Sequence, residues 1–326
     1  LLNYHDFLGE VSGYELSVIE YAGYIQGAPQ VYLKLISGSH VESEFNITRP
    51  SESIYGFYLL PPVPGSQNAL LLMYNYSSYE YQFATINLAT GSINLGGKID
   101  TEIYGGHIVK MWGSSYYYVL NSSNALYFVD PNTAYLVGIK NIPHSIVWIY
   151  VADIDNDDND EIVLRCYDGS NYYLYILNED MTLNEIASSP YVSNPILFDM
   201  MDEPGVELIY SYDSGWGSYY IKVYNPISDE VLMSEYIGSY KFYPIMAIPP
   251  LKVSDDIIMC LNDLTYNKLR VGRFLADSMY TDFVLDSSIK LECDSYTYLT
   301  AVPVSYTHLR AHETEADLVC RLLLEK

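Results

Sequence analysis

Basic residues are scarce in this sequence of 326 residues. It contains 16 Lys and Arg against 41 Asp and Glu, which gives a formal net charge of −25. Charged residues make up only 17% of the chain, against roughly 25% in an average domain, so the imbalance reflects missing bases and not an excess of acids. Because nucleic-acid binding depends on basic residues that neutralise phosphates, we expect no nucleic-acid partner.

Long apolar runs and long helix-forming runs are also missing. No apolar stretch approaches the roughly 20 residues that a membrane-spanning helix needs, so we expect no membrane span. The 36 Tyr favour β-strands, whereas runs of Ala, Leu, Glu and Lys are absent from most of the chain. The 49% of apolar residues suffice for a core. The composition therefore predicts an all-β fold.

Histidine is too rare and too scattered for the common catalytic sites. The six His show neither HxH nor HExxH spacing, which the usual zinc enzymes require. No Ser/His/Asp set and no phosphate-binding loop is visible in the sequence. The sequence favours a non-catalytic function.

The C-terminal 23 residues differ in character from the rest of the chain. Residues 304–326 hold the one convincing helical run and read VSYTHLRAHETEADLVCRLLLEK. This string resembles the conceptual translation of a transposase-based sequencing adaptor, with VSYTHLRAHET at one end and the flow-cell sequence LVCRLLLEK at the other. We therefore predict that 304–326 is an artefactual tail outside the fold, and that 1–303 is a truncated natural fragment.

A repeat of nearly constant length runs through residues 1–303. Strand-like segments end in a polar residue that enters a turn, at Ser37, Asn87, Asp130, Asn178, Asn225 and Asp277. The successive spacings of these positions are 50, 43, 48, 47 and 52 residues. A second feature, an apolar strand followed by a polar loop and then aliphatic residues, recurs with the same period. Two features with one period indicate a repeat architecture.

Each repeat reads as four short strands bounded by Gly, Asn, Asp, Ser or Pro. Four strands in about 45–50 residues are typical of a β-propeller blade. We predict six blades, at 1–50, 51–100, 101–141, 142–189, 190–238 and 239–288, followed by the first strand of a seventh blade at 296–303. The alternative is a β-sandwich of short strands.

One loop carries a strong chemical signal. In DIDNDDNDEI, acids and an amide alternate at Asp153, Asp155, Asp157, Asn159 and Glu161. Side chains at alternate positions of a tight loop converge, and Asn159 is placed to offer its backbone carbonyl. Ca²⁺ accepts six to eight oxygen ligands at about 2.3–2.6 Å. The spacing therefore predicts a calcium site, with a solvated acidic turn as the alternative.

This loop resembles the DxDxDGxxDL loop of FG-GAP and VCBS-type repeats, which form integrin-α-like propellers. Asp153, Asp155, Asp157 and Glu161 match the four side-chain positions of that pattern. The sequence departs from it at Asp158, where the family prefers Gly, and at Glu161, where it prefers Asp. The resemblance implies Ca²⁺ as the bound ion and a β-propeller as the fold.

Two other loops keep part of the pattern. In the loop at 199–207, Met201 replaces one acid, and the loop at 6–15 has one residue too many. A thioether is a poor ligand for calcium, which prefers oxygen. We expect these two loops to bind metal weakly or not at all.

Together these features favour an extracellular or cell-surface calcium-binding β-propeller that acts as a non-catalytic binding or adhesion module. Its expected partner is a protein or carbohydrate ligand on a propeller face, where the Tyr clusters are interpreted either as blade packing or as an aromatic platform. Extracellular calcium is concentrated enough for weak, carboxylate-rich loops. The alternative is a polysaccharide-active lyase or hydrolase, or an accessory domain of one, which would need converging carboxylates.

Overall fold

β-strands make up the regular structure of the part of the chain that the structure describes. A computed structural model describes residues 3–6, 16–25, 28–37, 40–47, 54–75, 77–199, 205–239, 241–248, 257–263, 268–275 and 283–292, and 24 strands lie in these ranges. None of these residues forms a helix long and apolar enough to cross a membrane. The strands form six sheets of four strands each.

The first three sheets follow each other along the chain. The first contains β1 (Asn3–Asp6), β2 (Leu16–Ile25), β3 (Ala28–Ser37) and β4 (His40–Asn46). The second contains β5 (Ile54–Leu60), β6 (Asn68–Asn75), β7 (Glu80–Asn87) and β8 (Ile93–Ile99). The third contains β9 (Gly105–Met111), β10 (Ser115–Asn121), β11 (Ala125–Val129) and β12 (Leu136–Asn141).

The remaining three sheets repeat the same plan. The fourth contains β13 (Ser145–Ala152), β14 (Glu161–Tyr167), β15 (Tyr172–Leu177) and β16 (Leu183–Ser189). The fifth contains β17 (Ile196–Phe198), β18 (Glu207–Asp213), β19 (Tyr219–Asn225) and β20 (Glu230–Gly238). The sixth contains β21 (Phe242–Ile248), β22 (Ile257–Asp263), β23 (Lys268–Phe274) and β24 (Phe283–Glu292).

Each sheet is an antiparallel meander in which strands pair with their neighbours in sequence. Six small meanders in succession are the blades of a β-propeller, not the two large sheets of a sandwich. The predicted fold class is therefore confirmed. The blades lie within the predicted repeats, except that the sixth ends at Glu292 and not at 288. The seventh-blade strand at 296–303 and the tail at 304–326 lie outside the described residues.

The chain divides into two units, Leu1–Ser239 with the first five blades and Tyr240–Lys326 with the sixth. In the first unit, successive side chains of one strand point to opposite faces of the sheet and pack against the two neighbouring blades. Leu71 of β6 belongs to a buried cluster with Leu33 of β3 in the first blade. Leu70 belongs to another cluster with Tyr118 of β10 in the third blade.

The position of a strand within its blade decides how it is buried. The second strand of the fourth blade, β14, is buried along most of its length, because both of its faces pack against neighbouring blades. The fourth strand of the third blade, β12, alternates between half-buried and exposed positions. A second strand is therefore apolar along a continuous run of residues. In the outer strand, half-buried and exposed residues alternate.

The turn after the third strand explains the repeated polar residue of the sequence. Asn87, Asp130 and Asn225 each accept hydrogen bonds on Oδ1 from two backbone N–H groups at distances of 2.8–3.1 Å. Such Asx turns reverse the chain in few residues. Asn178 holds the same place in the fourth blade, but backbone hydrogen bonds to Met181 and Thr182 close its turn.

Candidate metal centre

The predicted calcium loop joins the first two strands of the fourth blade. β13 ends at Ala152 and β14 begins at Glu161, so the loop covers 153–160. The carboxylate of Asp153 organises the loop, since its Oδ1 accepts the N–H of Asp157 at 3.1 Å and its Oδ2 accepts the N–H of Asp158 at 3.1 Å. The equivalent connection in the third blade is only the short turn at 112–114.

Two residues of the loop adopt left-handed backbone conformations. Asn156 has φ of 62° and Asp158 has φ of 75°. Asn and Asp tolerate this region better than other non-glycine residues. Asp158 is therefore a residue type that can adopt this turn conformation without Gly.

Three carboxylates of the loop come together. Oxygen atoms of Asp153, Asp155 and Glu161 all lie within 4.8 Å of one another. Two oxygens that bind one Ca²⁺ at about 2.4 Å lie at most about 4.8 Å apart, so the separations suit a shared ion. Glu161 is buried, with 6% of its surface exposed, Asp153 is half-buried and Asp155 is exposed. The group thus runs from the interior to the surface.

Asp157 and Asn159, the other two predicted ligands, hold the second half of the loop. Oδ1 of Asp157 accepts hydrogen bonds from Asn159, at 2.8 Å from N and 3.3 Å from Nδ2. Oδ1 of Asn159 accepts the N–H of Ser114 in the third blade at 3.0 Å. The carboxylate of Asp157 is not among the three that lie within 4.8 Å of one another. Binding of an ion by Asp157 and by the backbone carbonyl of Asn159 stays a prediction.

The back of the loop docks on the third blade through Lys110 of β9. The Lys110 ammonium pairs with Asp158, and its backbone N–H donates to Oδ2 of Asp160 at 2.6 Å. The N–H of Asp160 in turn donates to the carbonyl of Lys110 at 2.6 Å. Sequence reasoning missed Lys110 and Ser114, because their contacts with the loop join positions almost a whole repeat apart.

The front of the loop contacts the fifth blade. The N–H of Val206 donates to the carbonyl of Ile154 at 2.8 Å. Gly205, with φ of 108°, permits this approach, because a Cβ there would lie 2.9 Å from the same carbonyl oxygen. The loop therefore contacts the blades on both of its sides.

The surroundings shift the pKa values of the loop carboxylates in different directions. Burial, together with the neighbouring Asp155, Asp157 and Asp153, raises the pKa of Glu161 from 4.5 to about 7, against a hydrogen bond from the N–H of Ile154. Burial and the charge of Asp157 also raise the pKa of Asp155. Lys110, by its hydrogen bond, lowers the pKa of Asp158. Without a cation, negative charge is therefore disfavoured at Asp155 and Glu161, two members of the three-carboxylate group.

A cavity of about 370 Å³ opens beside the loop, between the fourth and fifth blades. Five acids contribute to its lining: Asp155, Asp157, Glu161, Glu179 and Asp180. No Lys or Arg lines it among the described residues. The cavity is therefore strongly negative.

The two degenerate loops are only partly described. Asp199 follows β17 and is exposed, whereas residues 200–204 of that loop lie outside the described residues. Glu207 is fully buried and accepts a hydrogen bond from Nδ2 of Asn225 at 3.3 Å. Asp6 ends β1, and 7–15 also lie outside the described residues. Weak or absent metal binding by these loops stays a prediction.

Comparisons with known proteins give no family. No family model matches the chain, and no curated protein sequence matches it significantly. The WD40 domain of SCAP from fission yeast is 10% identical, with a TM-score of 0.44 over 84% of this chain and 70% of that chain. An oligogalacturonate lyase from Vibrio parahaemolyticus is 9% identical, with a TM-score of 0.39 over 87% of this chain and 71% of that chain.

An uncharacterized protein from Listeria monocytogenes is 10% identical to this chain, with a TM-score of 0.33 over 70% of this chain and 82% of that chain. Because these scores are below 0.5, the propeller assignment rests on the six successive meanders and not on the likeness. The resemblance to FG-GAP and VCBS-type repeats stays a prediction.

Proposed function

We propose that the protein is an extracellular calcium-binding β-propeller that acts as a non-catalytic binding or adhesion module. The observation that carries the proposal is the group formed by Asp153, Asp155 and Glu161, whose oxygens lie within 4.8 Å of one another. Carboxylate oxygens in a loop are the ligands that Ca²⁺ prefers.

The charge of the group supports a divalent cation. Carboxylates at such separations repel each other, and the repulsion grows where the surroundings are buried, as at Glu161. Lys110 pairs with Asp158 and not with the three acids. A divalent cation would offset the charge that Lys110 leaves unbalanced.

The contacts of the loop support a structural role for calcium. The loop is bonded to Ser114 in the third blade and to Val206 in the fifth. An ion that fixes the loop would therefore stabilise the packing of three successive blades. Calcium in this role would preserve the shape of a face that binds a protein or carbohydrate partner.

An extracellular location is part of the proposal, because the low basic content and a carboxylate-rich loop suit an environment with abundant calcium. The alternative, a polysaccharide-active enzyme, requires carboxylates from several blades at one point. Within the described ranges, only the loop brings three His, Cys, Asp or Glu side chains this close together. No observation there favours the enzyme.

Isothermal titration calorimetry of the full chain with Ca²⁺ tests the calcium site. We expect one binding event and a chelator-sensitive increase in melting temperature, because a ligand that binds only the folded state adds about 2.7 kcal/mol of stability at 100 times its Kd. Asp155→Ala should weaken binding strongly, whereas Glu230→Gln, at an exposed acid of β20, should leave it unchanged. Absence of both binding heat and the melting shift in the wild type would refute the proposal.

A further inference from the structure

Trp216 is the most exposed large apolar side chain among the described residues, with a relative exposure of 105%. It lies in the turn between β18 and β19 of the fifth blade, where its φ is 61° and its neighbours Gly215 and Gly217 have φ of 104° and 74°. The N–H of Ser214 donates to the carbonyl of Ser218 at 3.0 Å and closes the turn. A bulky residue in the left-handed region is strained, so the fold holds this ring in solvent at an energetic cost.

The turn that carries Trp216 lies at the end of the blades opposite the calcium loop. In an antiparallel meander, successive connections alternate between the two ends of the sheet. The calcium loop joins a first and a second strand, whereas Trp216 lies between a second and a third strand, as does the turn at 168–171 in the fourth blade. The connection between these blades, at 190–195, reaches the same end, because the N–H of Asp213 donates to the carbonyl of Tyr191 at 2.9 Å. The two turns and the connection therefore share one end of the fourth and fifth blades.

A row of tyrosine rings joins the two turns. The ring centroids of Tyr167 and Tyr172 lie 4.5 Å apart, and both side chains are half-buried where they flank the turn of the fourth blade. Tyr191, which is buried, continues the row, with its centroid 6.4 Å from that of Tyr172 and 5.8 Å from that of Tyr219. The guanidinium of Arg165 lies 4.0 Å from the centroid of Tyr172, and its Nε donates to a backbone carbonyl of the connection at 2.6 Å. This end of the blades therefore presents aromatic surface at both turns, over a packed base.

Exposed hydrogen-bonding groups lie in the same turns. Asp168 and Ser170 belong to the turn of the fourth blade and Ser214 to that of the fifth, and all three are exposed. Hydrogen bonds from the N–H of Asn171 and from the hydroxyl of Tyr173 lower the pKa of Asp168 to about 2. Its carboxylate is therefore ionised at neutral pH and can accept hydrogen bonds from a ligand.

Aromatic rings beside an ionised acceptor decide the class of ligand. A lipid surface would desolvate the carboxylate of Asp168 without pairing it, which costs free energy. An anionic ligand would meet that carboxylate and a chain with a net charge of −25. An uncharged carbohydrate has hydroxyl groups that donate to a carboxylate and C–H faces that pack against aromatic rings. The chemistry of this surface therefore fits a neutral carbohydrate best.

We infer that this end of the fourth and fifth blades binds a neutral polysaccharide, whose sugar rings stack on Trp216 and Tyr167 and whose hydroxyl groups donate to Asp168. The inference rests on the proposed binding function and names the location of the site and its ligand class. Because the calcium loop lies at the opposite end of the blades, the ion makes no contact with this ligand.

The test is affinity electrophoresis of the full chain at saturating Ca²⁺ in native gels that contain konjac glucomannan, hydroxyethylcellulose or the anionic carboxymethylcellulose. Calorimetry with the polysaccharide that retards the chain most then gives the affinity. We expect retardation by at least one of the two neutral polysaccharides. Trp216→Ala should weaken binding about tenfold or more, as expected for truncation of an aromatic anchor, whereas Trp216→Phe should retain most of the affinity.

Tyr135→Ala is the matched control. It removes a ring that is 57% exposed in the connection between β11 and β12, at the end of the blades that carries the calcium loop. Because this ring lies outside the inferred site, its loss should change the affinity less than about twofold.

Loss of binding in Trp216→Ala, but not in Trp216→Phe or Tyr135→Ala, supports the inference. No retardation by either neutral polysaccharide would overturn it, and so would equal losses in Trp216→Ala and Tyr135→Ala. Stronger retardation by carboxymethylcellulose than by hydroxyethylcellulose would contradict the neutral ligand class. Binding to phosphatidylcholine vesicles without binding to a polysaccharide would assign the ring to a lipid surface and refute the inference. Calcium affinity is titrated without polysaccharide, so failure of the calcium site is observed separately.

Discussion

The substitution Glu161→Gln is expected to stabilise the protein in the presence of a chelator. Burial and neighbouring carboxylates raise the pKa of Glu161 from 4.5 to about 7. At about 1.4 kcal/mol per pKa unit, the ionised side chain therefore costs the folded state about 3 kcal/mol. A glutamine side chain carries no charge and keeps an oxygen that can accept the N–H of Ile154, now bonded to Oε2 at 2.9 Å.

The effect has a defined pH dependence. Because the folded-state pKa of this acid is raised, the protonated form is favoured in the fold, and wild-type stability falls as the pH rises from about 4.5 to about 7. The advantage of the Glu161→Gln variant should thus be about 3 kcal/mol near pH 8 and should vanish near pH 4. Saturating Ca²⁺ should close the difference at pH 8, because the charged carboxylate of the wild type binds the ion more strongly than a neutral amide oxygen does.

Urea unfolding followed by circular dichroism measures these free energies. Glu230→Gln is the control, since it changes one exposed acid of β20 and should shift stability by less than about 0.5 kcal/mol. If Glu161→Gln left the chelated protein at pH 8 unchanged or less stable, the electrostatic reasoning would be wrong. An advantage of the same size near pH 4 would contradict it as well.

Three further substitutions probe the surroundings of the loop. Gly205→Ala should lower the free energy of urea unfolding by about 1–3 kcal/mol, because it forces an L residue to φ of 108° against the Ile154 carbonyl. Unchanged stability would contradict this contact. Leu164→Ala should cost about 2–5 kcal/mol by the same measurement, since Leu164 is fully buried between the third and fourth blades, and a loss below about 1 kcal/mol would argue against that packing. Lys110→Met should raise the carboxyl pKa of Asp158 towards its ordinary range in an NMR titration, and an unmoved pKa would exclude the ion pair.

The blade plan could be predicted because its signals are local. A side chain at the end of the third strand closes its own turn, as Asn87 does with the N–H groups of Ala89 and Thr90. A turn residue of this kind recurs once in each repeat, so it can be recognised from a single sequence. The repeat placed the end of the sixth blade at 288, whereas its last strand, β24, continues to Glu292, because the length of an outer strand is not fixed by the turn residues that mark the repeat.

The candidate site could be predicted only in part. Asp153, Asp155 and Glu161 lie within nine positions, so a tight loop brings them together. The side chain of Asn159 accepts a hydrogen bond from the N–H of Ser114, 45 residues away, and alternation in the sequence does not reveal such a contact.

A crystal structure of the protein grown with Ca²⁺ tests the central claim most directly. We expect one ion bound by carboxylate oxygens of Asp153, Asp155 and Glu161 at about 2.4 Å, in the six- to eight-fold oxygen coordination typical of calcium. Clear density for the loop at saturating Ca²⁺, with these three carboxylates in place and no ion between them, would contradict it.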